Sequence, residues 1–107
     1  VLEALGPRGV IINMARGSVI DEPALIHSLK NKTIAAAGLD VFWNEPHVNP
    51  ELLTLDNCTV LPHVGSASRH TRNRMAELVA ANLKAMLAGR PPVTPVPETP
   101  YQSWAAA

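Results

Sequence analysis

Three short apolar runs, each ending in a polar motif closed by Gly or Pro, limit what this chain can fold into. The first is Gly9-Val10-Ile11-Ile12-Asn13, followed by Met14-Ala15-Arg16-Gly17. Consecutive β-branched residues with no polar interruption read as a strand buried on both faces, the pattern of a parallel sheet. The second run, Ile34 to Phe42, is rich in alanine and therefore tightly packed. Its strand part is expected at Gly38 to Val41, ahead of Trp43-Asn44-Glu45-Pro46. The third is Cys58-Thr59-Val60-Leu61, ahead of Pro62-His63-Val64-Gly65-Ser66.

Helical signals separate these runs. Val1 to Leu5 reads as the end of a helix. Asp21-Glu22-Pro23 reads as a start, with Asp21 as N-cap and Pro23 in the first turn. Ala24, Leu25, His27, Ser28 and Leu29 fill that helix as far as Lys30-Asn31-Lys32. The loop from Asn44 to Asp56 has room for one helical turn at Pro50-Glu51-Leu52-Leu53. Strands alternating with helices imply a parallel α/β sheet.

The last helix is the most regular element. Ser66 or Ser68 caps it, and Met75, Leu78, Val79, Leu83, Met86 and Leu87 recur at helical spacing to make one apolar stripe. Gly89 ends it, and Pro91-Pro92 prevents continuation. Pro91 to Pro100 holds five prolines in ten residues, an extended tail.

At 107 residues the chain is one small domain or part of a larger one. Nine basic and nine acidic side chains give zero formal charge, which offers no reason to invoke nucleic acid or an anionic membrane. Arg69, His70, Arg72 and Arg74 are clustered, but no aromatic residue interleaves with them, so a solvated or subunit-facing surface is expected. Cys58 is the only cysteine, which excludes an internal disulfide and fits a reducing compartment. No signal peptide and no bilayer-length apolar run is visible. No metal site is expected.

Arg16, Glu45 and His63 follow successive strands, so they can converge on one crevice at the rim where ligands of open α/β sheets bind. A guanidinium matches a carboxylate with a planar fork of donors. An imidazole, titrating near about 6.5, can give and recover a proton close to neutrality. A carboxylate bonded to one ring nitrogen orients the ring and favours its protonated form. Taken singly, each has a bland alternative: an exposed turn Arg, a loop acid before Pro46, a turn-capping His. His27, His47 and His70 lack such settings. Trp43 and Trp104 are each a pocket wall or plain packing; Trp43, beside Glu45, has the better claim to a pocket.

The segments Asn13-Met14-Ala15-Arg16-Gly17, Gly38 to Pro46 and Leu61 to Ser66 resemble the D-isomer-specific 2-hydroxyacid dehydrogenases, and the resemblance runs from Leu5 to about Pro95. Asp56 to Ala67 looks most like the glyoxylate/hydroxypyruvate reductase branch. Trp43 departs from the small or charged residue commoner there. The resemblance implies the C-terminal half of a Rossmann-type doubly wound parallel sheet, ending in a long helix and a Pro-rich tail. Residues 1–89 would be the later part of a dinucleotide-binding domain, and 90–107 a tail returning toward a substrate domain. The family's Gly-x-Gly-x-x-Gly turn does not occur in this sequence, so the chain is expected to be the C-terminal portion of a longer enzyme and inactive alone.

By the same resemblance Arg16, Glu45 and His63 are catalytic, with Glu45 paired to His63. Met14, Ala15, Arg16, Asp40, His63, Val64, Gly65 and Ser66 line the cofactor, NAD or NADP, with NADP slightly preferred. Asp40 would lie near the nicotinamide; Ser66 either reaches substrate or caps the helix. The implied partners are a small 2-keto or 2-hydroxy acid, the rest of the enzyme and a second subunit in a cytoplasmic homodimer, with no nucleic acid or membrane. The alternative is a dinucleotide-sensing corepressor-like binding protein, whose fold and motifs are the same.

Overall fold

The computed structural model describes residues 1–98. Trp104 and the end of the Pro-rich tail lie outside the described residues. In chain order the elements are α1 (Leu2–Leu5), β1 (Val10–Asn13), a 3-10 turn (Gly17–Val19), α2 (Glu22–Lys30), β2 (Ala36–Leu39), α3 (Pro50–Leu53), β3 (Cys58–Val60) and α4 (Arg69–Leu87). They fall into two compact units, Val1–Gly65 and a second that starts at Ser66.

The first unit is built on a three-stranded parallel sheet in the order β1-β2-β3. Val10 pairs with Ala36 and Asn13 with Leu39; Ala37 pairs with Cys58 and Leu39 with Val60. Side chains alternate across a strand, so Ile11, Ala37, Leu39, Cys58 and Val60 share one face. Leu25, Ile26 and Leu29 of α2, Ile34, Phe42, and Leu52 of α3 join them in a single core. Asp21 caps α2 by accepting the Ala24 N–H at 3.0 Å, and Asn49 caps α3 by accepting the Glu51 N–H at 3.0 Å. Lys30 of α2 is ion-paired with Glu51 of α3.

Two expectations are corrected. The first run is not buried on both faces: Val10 is 56% and Ile12 63% exposed. All the helical packing within this unit lies on the opposite face, so only the inward half of the strand is covered. The second strand begins two residues before the expected Gly38. The ladder is already formed at Ala35, whose N–H donates to the Gly9 carbonyl at 2.8 Å, and at Ala37, whose N–H donates to the Asn57 carbonyl at 3.0 Å. Alanine's weak strand preference is overridden by its place in the centre of the ladder.

The second unit is dominated by α4. Ser68, not Ser66, is its N-cap, with the Oγ accepting the Thr71 N–H at 3.1 Å. Its C-terminus closes with Gly89 N–H on the Met86 carbonyl at 3.0 Å and Arg90 N–H on the Ala85 carbonyl at 2.9 Å. Met75, Leu78, Val79, Leu83 and Leu87 of the stripe are exposed. The start of the tail folds back on the helix: Asn82 accepts the Thr94 N–H at 3.0 Å and donates to the Thr94 hydroxyl at 2.9 Å.

Ile34 has 0% exposure and sits between α2 and β2. Truncating a fully buried isoleucine costs about 2–5 kcal/mol, from lost burial and the cavity left behind. Ile34→Ala is expected to lower the urea midpoint by that equivalent, while Val10→Ala on the open face stays close to the parent.

Candidate active site

Because all three strands run parallel, their C-terminal ends lie on one rim, and each leads into one of the polar motifs. After β1 the chain is turned by Asn13, which is 5% exposed. Its Oδ1 accepts the Ala15 N–H at 3.1 Å, and its Nδ2 donates to the Arg16 carbonyl at 2.9 Å. An Asn bonding its own backbone two residues on is a compact way to leave a strand. Arg16 is exposed, and its Nη1 donates to the Ala15 carbonyl at 2.6 Å. Gly17 allows the next approach. A Cβ there would stand 2.1 Å from the Phe42 carbonyl carbon and oxygen, so only glycine lets the Arg16 segment lie against the segment after β2.

After β2 comes Asp40, 4% exposed. Its Oδ1 accepts the Val64 N–H at 2.8 Å and its Oδ2 the Gly65 N–H at 2.7 Å. A buried carboxylate is tolerated when donors of this kind satisfy it. Asp40 therefore ties the exit of β2 to the turn after β3. That turn carries His63 with φ 57. A left-handed non-glycine residue is uncommon and persists where its surroundings over-determine it. Here Asp40 holds the two following amides, and Glu45 holds the ring.

Glu45 Oε1 accepts the Phe42 N–H at 3.0 Å, and Glu45 Oε2 meets His63 Nδ1 at 2.6 Å. The hydrogen bond to His63 is the main cause holding the Glu45 carboxyl below its ordinary 4.5, with the Phe42 N–H next. The charges of His63 and Arg16 act in the same direction, against desolvation. Arg16, Glu45 and His63 thus share one electrostatic neighbourhood. A depressed carboxyl contributes its pairing above its unperturbed pKa, and the contribution is lost as pH falls through the lowered value.

Two cavities flank the His63 turn. One, of about 370 Å³, is lined by Phe42, Glu45, Pro46, Val48, Pro62 and His63. The other, of about 440 Å³, runs along the open sheet face from Val10 and Ala36 to Met14, Asp40, Val64 and Gly65 at the rim. The second is predominantly apolar. Four of the residues expected to line a cofactor are on its wall. Ala15, Arg16 and His63 belong to the adjoining turns. Ser66 is exposed and begins the second unit.

Trp43 is half exposed and is not part of the Glu45–His63 cavity lining. Its indole N–H donates to the Ile20 carbonyl at 2.7 Å. His27 is exposed on α2 against Asn31, His47 is exposed in the loop, and His70 is exposed on α4. Burial pushes the Cys58 thiol up, which leaves it a packing residue rather than a thiolate. Among the described residues no group of three or more His, Cys, Asp and Glu is placed to hold a metal, and no helix is long and apolar enough to cross a membrane. Sequence reasoning assigned no role to Asn13, although an Asn directly before a turn is a recognisable signal. The bonds from Asp40 to the His63 turn had no such signal, because they join residues 24 and 25 positions apart.

The family model described as D-isomer specific 2-hydroxyacid dehydrogenase, NAD binding domain, matches residues 1–65. Hydroxyphenylpyruvate reductase of Plectranthus scutellarioides is 50% identical over 96 residues, covering 90% of this chain and 31% of the relative. A glyoxylate/hydroxypyruvate reductase A of Arabidopsis thaliana shows the same identity and coverage. Among solved structures, the NADPH-dependent glyoxylate/hydroxypyruvate reductase of Sinorhizobium meliloti in complex with NADP and malonate is 56% identical, with a TM-score of 0.92. The match covers 97% of this chain and 33% of that one. The chain thus spans about a third of the length of these relatives.

Asp40→Asn keeps the size of the side chain but leaves one oxygen to accept two amides, and sets an N–H2 against the other donor. One buried donor left without a partner costs about 1–3 kcal/mol. The variant is expected to lose stability in that range by thermal or urea unfolding; parent-like stability would show that the two bonds contribute nothing.

Proposed function

Because the chain belongs to the D-isomer-specific 2-hydroxyacid dehydrogenase family, we propose that it is part of an oxidoreductase converting a small 2-keto acid of the glyoxylate/hydroxypyruvate kind to the D-2-hydroxy acid with NAD(P)H. The observation that carries this reading is the 2.6 Å contact of His63 Nδ1 with Glu45, in the field of Arg16. That contact leaves Nε2 as the ring nitrogen for proton transfer. Arg16 holds the substrate carboxylate through its guanidinium fork. His63 donates a proton to the carbonyl oxygen as the carbon is reduced. Glu45 remains ionised and holds the ring as it changes charge.

The residues present fit the nicotinamide end of a dinucleotide. The apolar sheet face offers a wall for a flat ring, and Gly65 keeps it open: a Cβ there would crowd Asp40 at 3.0 Å and Met14 at 3.2 Å. When bound, the dinucleotide supplies the hydride. Ala15, Arg16 and His63, on the adjoining turns, complete the reading of the cofactor wall, and the motif after His63 adds Ser66 as a proposed cofactor contact. NADP is preferred because the similar Sinorhizobium reductase binds it. Residues 1–89 serve as the later part of the dinucleotide-binding domain, and 90–107 as a tail returning toward a substrate domain. The complete protein is read as a cytoplasmic homodimer, and this segment alone as inactive.

The test is hydroxypyruvate reduction by the complete enzyme with NADPH. His63→Ala is expected to lower turnover by about 10²–10⁴-fold, the usual worth of a general acid, with NADPH affinity nearly intact. Arg16→Ala should chiefly raise the KM for the keto acid. Near-normal turnover in the first variant, or unchanged kinetics in the second, removes the residue from the mechanism.

The bonds that hold the Glu45 carboxyl below its ordinary value keep it paired with His63 above that lowered value, and the pairing is lost as pH falls through it. The acid-side loss of reductase turnover is therefore expected at lower pH than an ordinary Glu would give, and Glu45→Gln, which cannot titrate, should remove that limb while lowering turnover throughout. An acid limb identical in Glu45→Gln and the parent would refute the coupling.

A further inference from the structure

The Arg16 turn and the Glu45–His63 pair lie on different segments, and a reduction of the proposed kind needs them at a fixed separation. Trp43 sits between them. Arg16 is the N-cap of the 3-10 turn Gly17–Val19, and Ile20 is its C-cap. The turn is closed by Val19 N–H on the Arg16 carbonyl and Ile20 N–H on the Gly17 carbonyl, both at 3.3 Å. These are long bonds, and a three-residue 3-10 turn is a weak element by itself. From outside it, the Trp43 indole N–H donates to the Ile20 carbonyl at 2.7 Å. The Trp43 backbone N–H donates to Glu22 Oε2 at 3.3 Å, at the start of α2 immediately after the turn. At the other end of the turn, Gly17 lies against the Phe42–Trp43 peptide with no room for a Cβ. Two positions further along the chain, Glu45 holds His63.

A continuous path results: Arg16, its turn, Ile20, Trp43, Glu45 and His63. We propose that Trp43 is a positioning residue, stapling the Arg16 turn to the Glu45–His63 segment so that the carboxylate anchor and the proton donor face one substrate at a set distance. The proposal rests on the reading of Arg16 and His63 given above. Trp43 touches neither substrate nor cofactor in this role. The indole is well suited to it: a rigid ring with one donor and no acceptor, whose body remains half exposed while the N–H reaches the turn. A small apolar or an acidic residue at position 43 would leave the Ile20 carbonyl without this donor.

The test uses the complete enzyme. Trp43→Phe retains an aromatic ring and removes the N–H; Glu22→Ala independently releases the Trp43 backbone. A hydrogen bond of the indole kind is worth about a fivefold change in an equilibrium, and one to a carboxylate at least as much. In both variants the KM for hydroxypyruvate is expected to rise by about that factor, while kcat at saturation, NADPH affinity and the pH profile stay near the parent. The second readout does not depend on the chemistry: hydrogen exchange at the Val19 and Ile20 amides should accelerate as the turn opens more often. Faster exchange with a raised KM supports the staple. Unchanged exchange overturns it, as does an equal loss of kcat, NADPH affinity and stability, which marks a merely structural contact. If Arg16→Ala leaves KM unchanged while exchange still accelerates in Trp43→Phe, the staple stands and the anchor role of Arg16 falls.

Discussion

Asp40 leaves β2 with both carboxylate oxygens taken by backbone amides of the turn after β3, at 2.8 and 2.7 Å. The geometry of the site depends on this buried acid. Parallel pairing brings the strand ends to one rim, but its last bonds are those of the Asp40 N–H to the Asn13 carbonyl and the Leu61 N–H to the Leu39 carbonyl, and it specifies nothing beyond them. Past those residues a loop has many conformations, and ordering each residue costs on the order of 1–2 kcal/mol. Two charge-assisted bonds from a side chain that is itself locked in place recover much of that cost for the His63 turn.

The same logic recurs along the rim. Asn13 bonds the backbone of its own turn, Asp40 bonds that of the neighbouring one, and Glu45 divides its oxygens between Phe42 N–H and the His63 ring. In each case a polar side chain satisfies main-chain donors that the sheet has abandoned. Glu45 is the one with a titrating group as its second partner, so it is where structure passes into chemistry. The left-handed backbone of His63 is the local consequence. The residue is held from both sides while nearly half of its side chain stays open to solvent.

The sheet is unequal in its two faces. α2, α3 and the segments around them bury Ile11, Ala37 and Leu39 on one side. Val10, Ile12 and Thr59 remain exposed on the other, above the apolar cleft. Strand periodicity places alternate residues on opposite faces whatever covers them. An apolar residue such as Ile12 can therefore belong to a binding wall or an interface as readily as to a core. This is why an unbroken β-branched run suggested two buried faces where the unit covers one.

Whatever chain-local physics controls is legible in the residues alone. Although the choice of Ser68 over Ser66 as the α4 cap came from the fold, the cap at Asp21, the single turn at Pro50–Leu53, the end of α4 near Gly89, and the three polar motifs behind three apolar runs all follow from neighbours a few residues apart. So does the family, because Arg16, Glu45 and His63 each sit within a short contiguous pattern. The start of β2 at Ala36, the choice of covered face, and the bonds from Asp40 to Val64 and Trp43 to Ile20 come only from the packed chain. These bonds join residues 24 and 23 positions apart, so their partners depend on strand register and on which segments the core brings side by side. Local propensity carries no information about either.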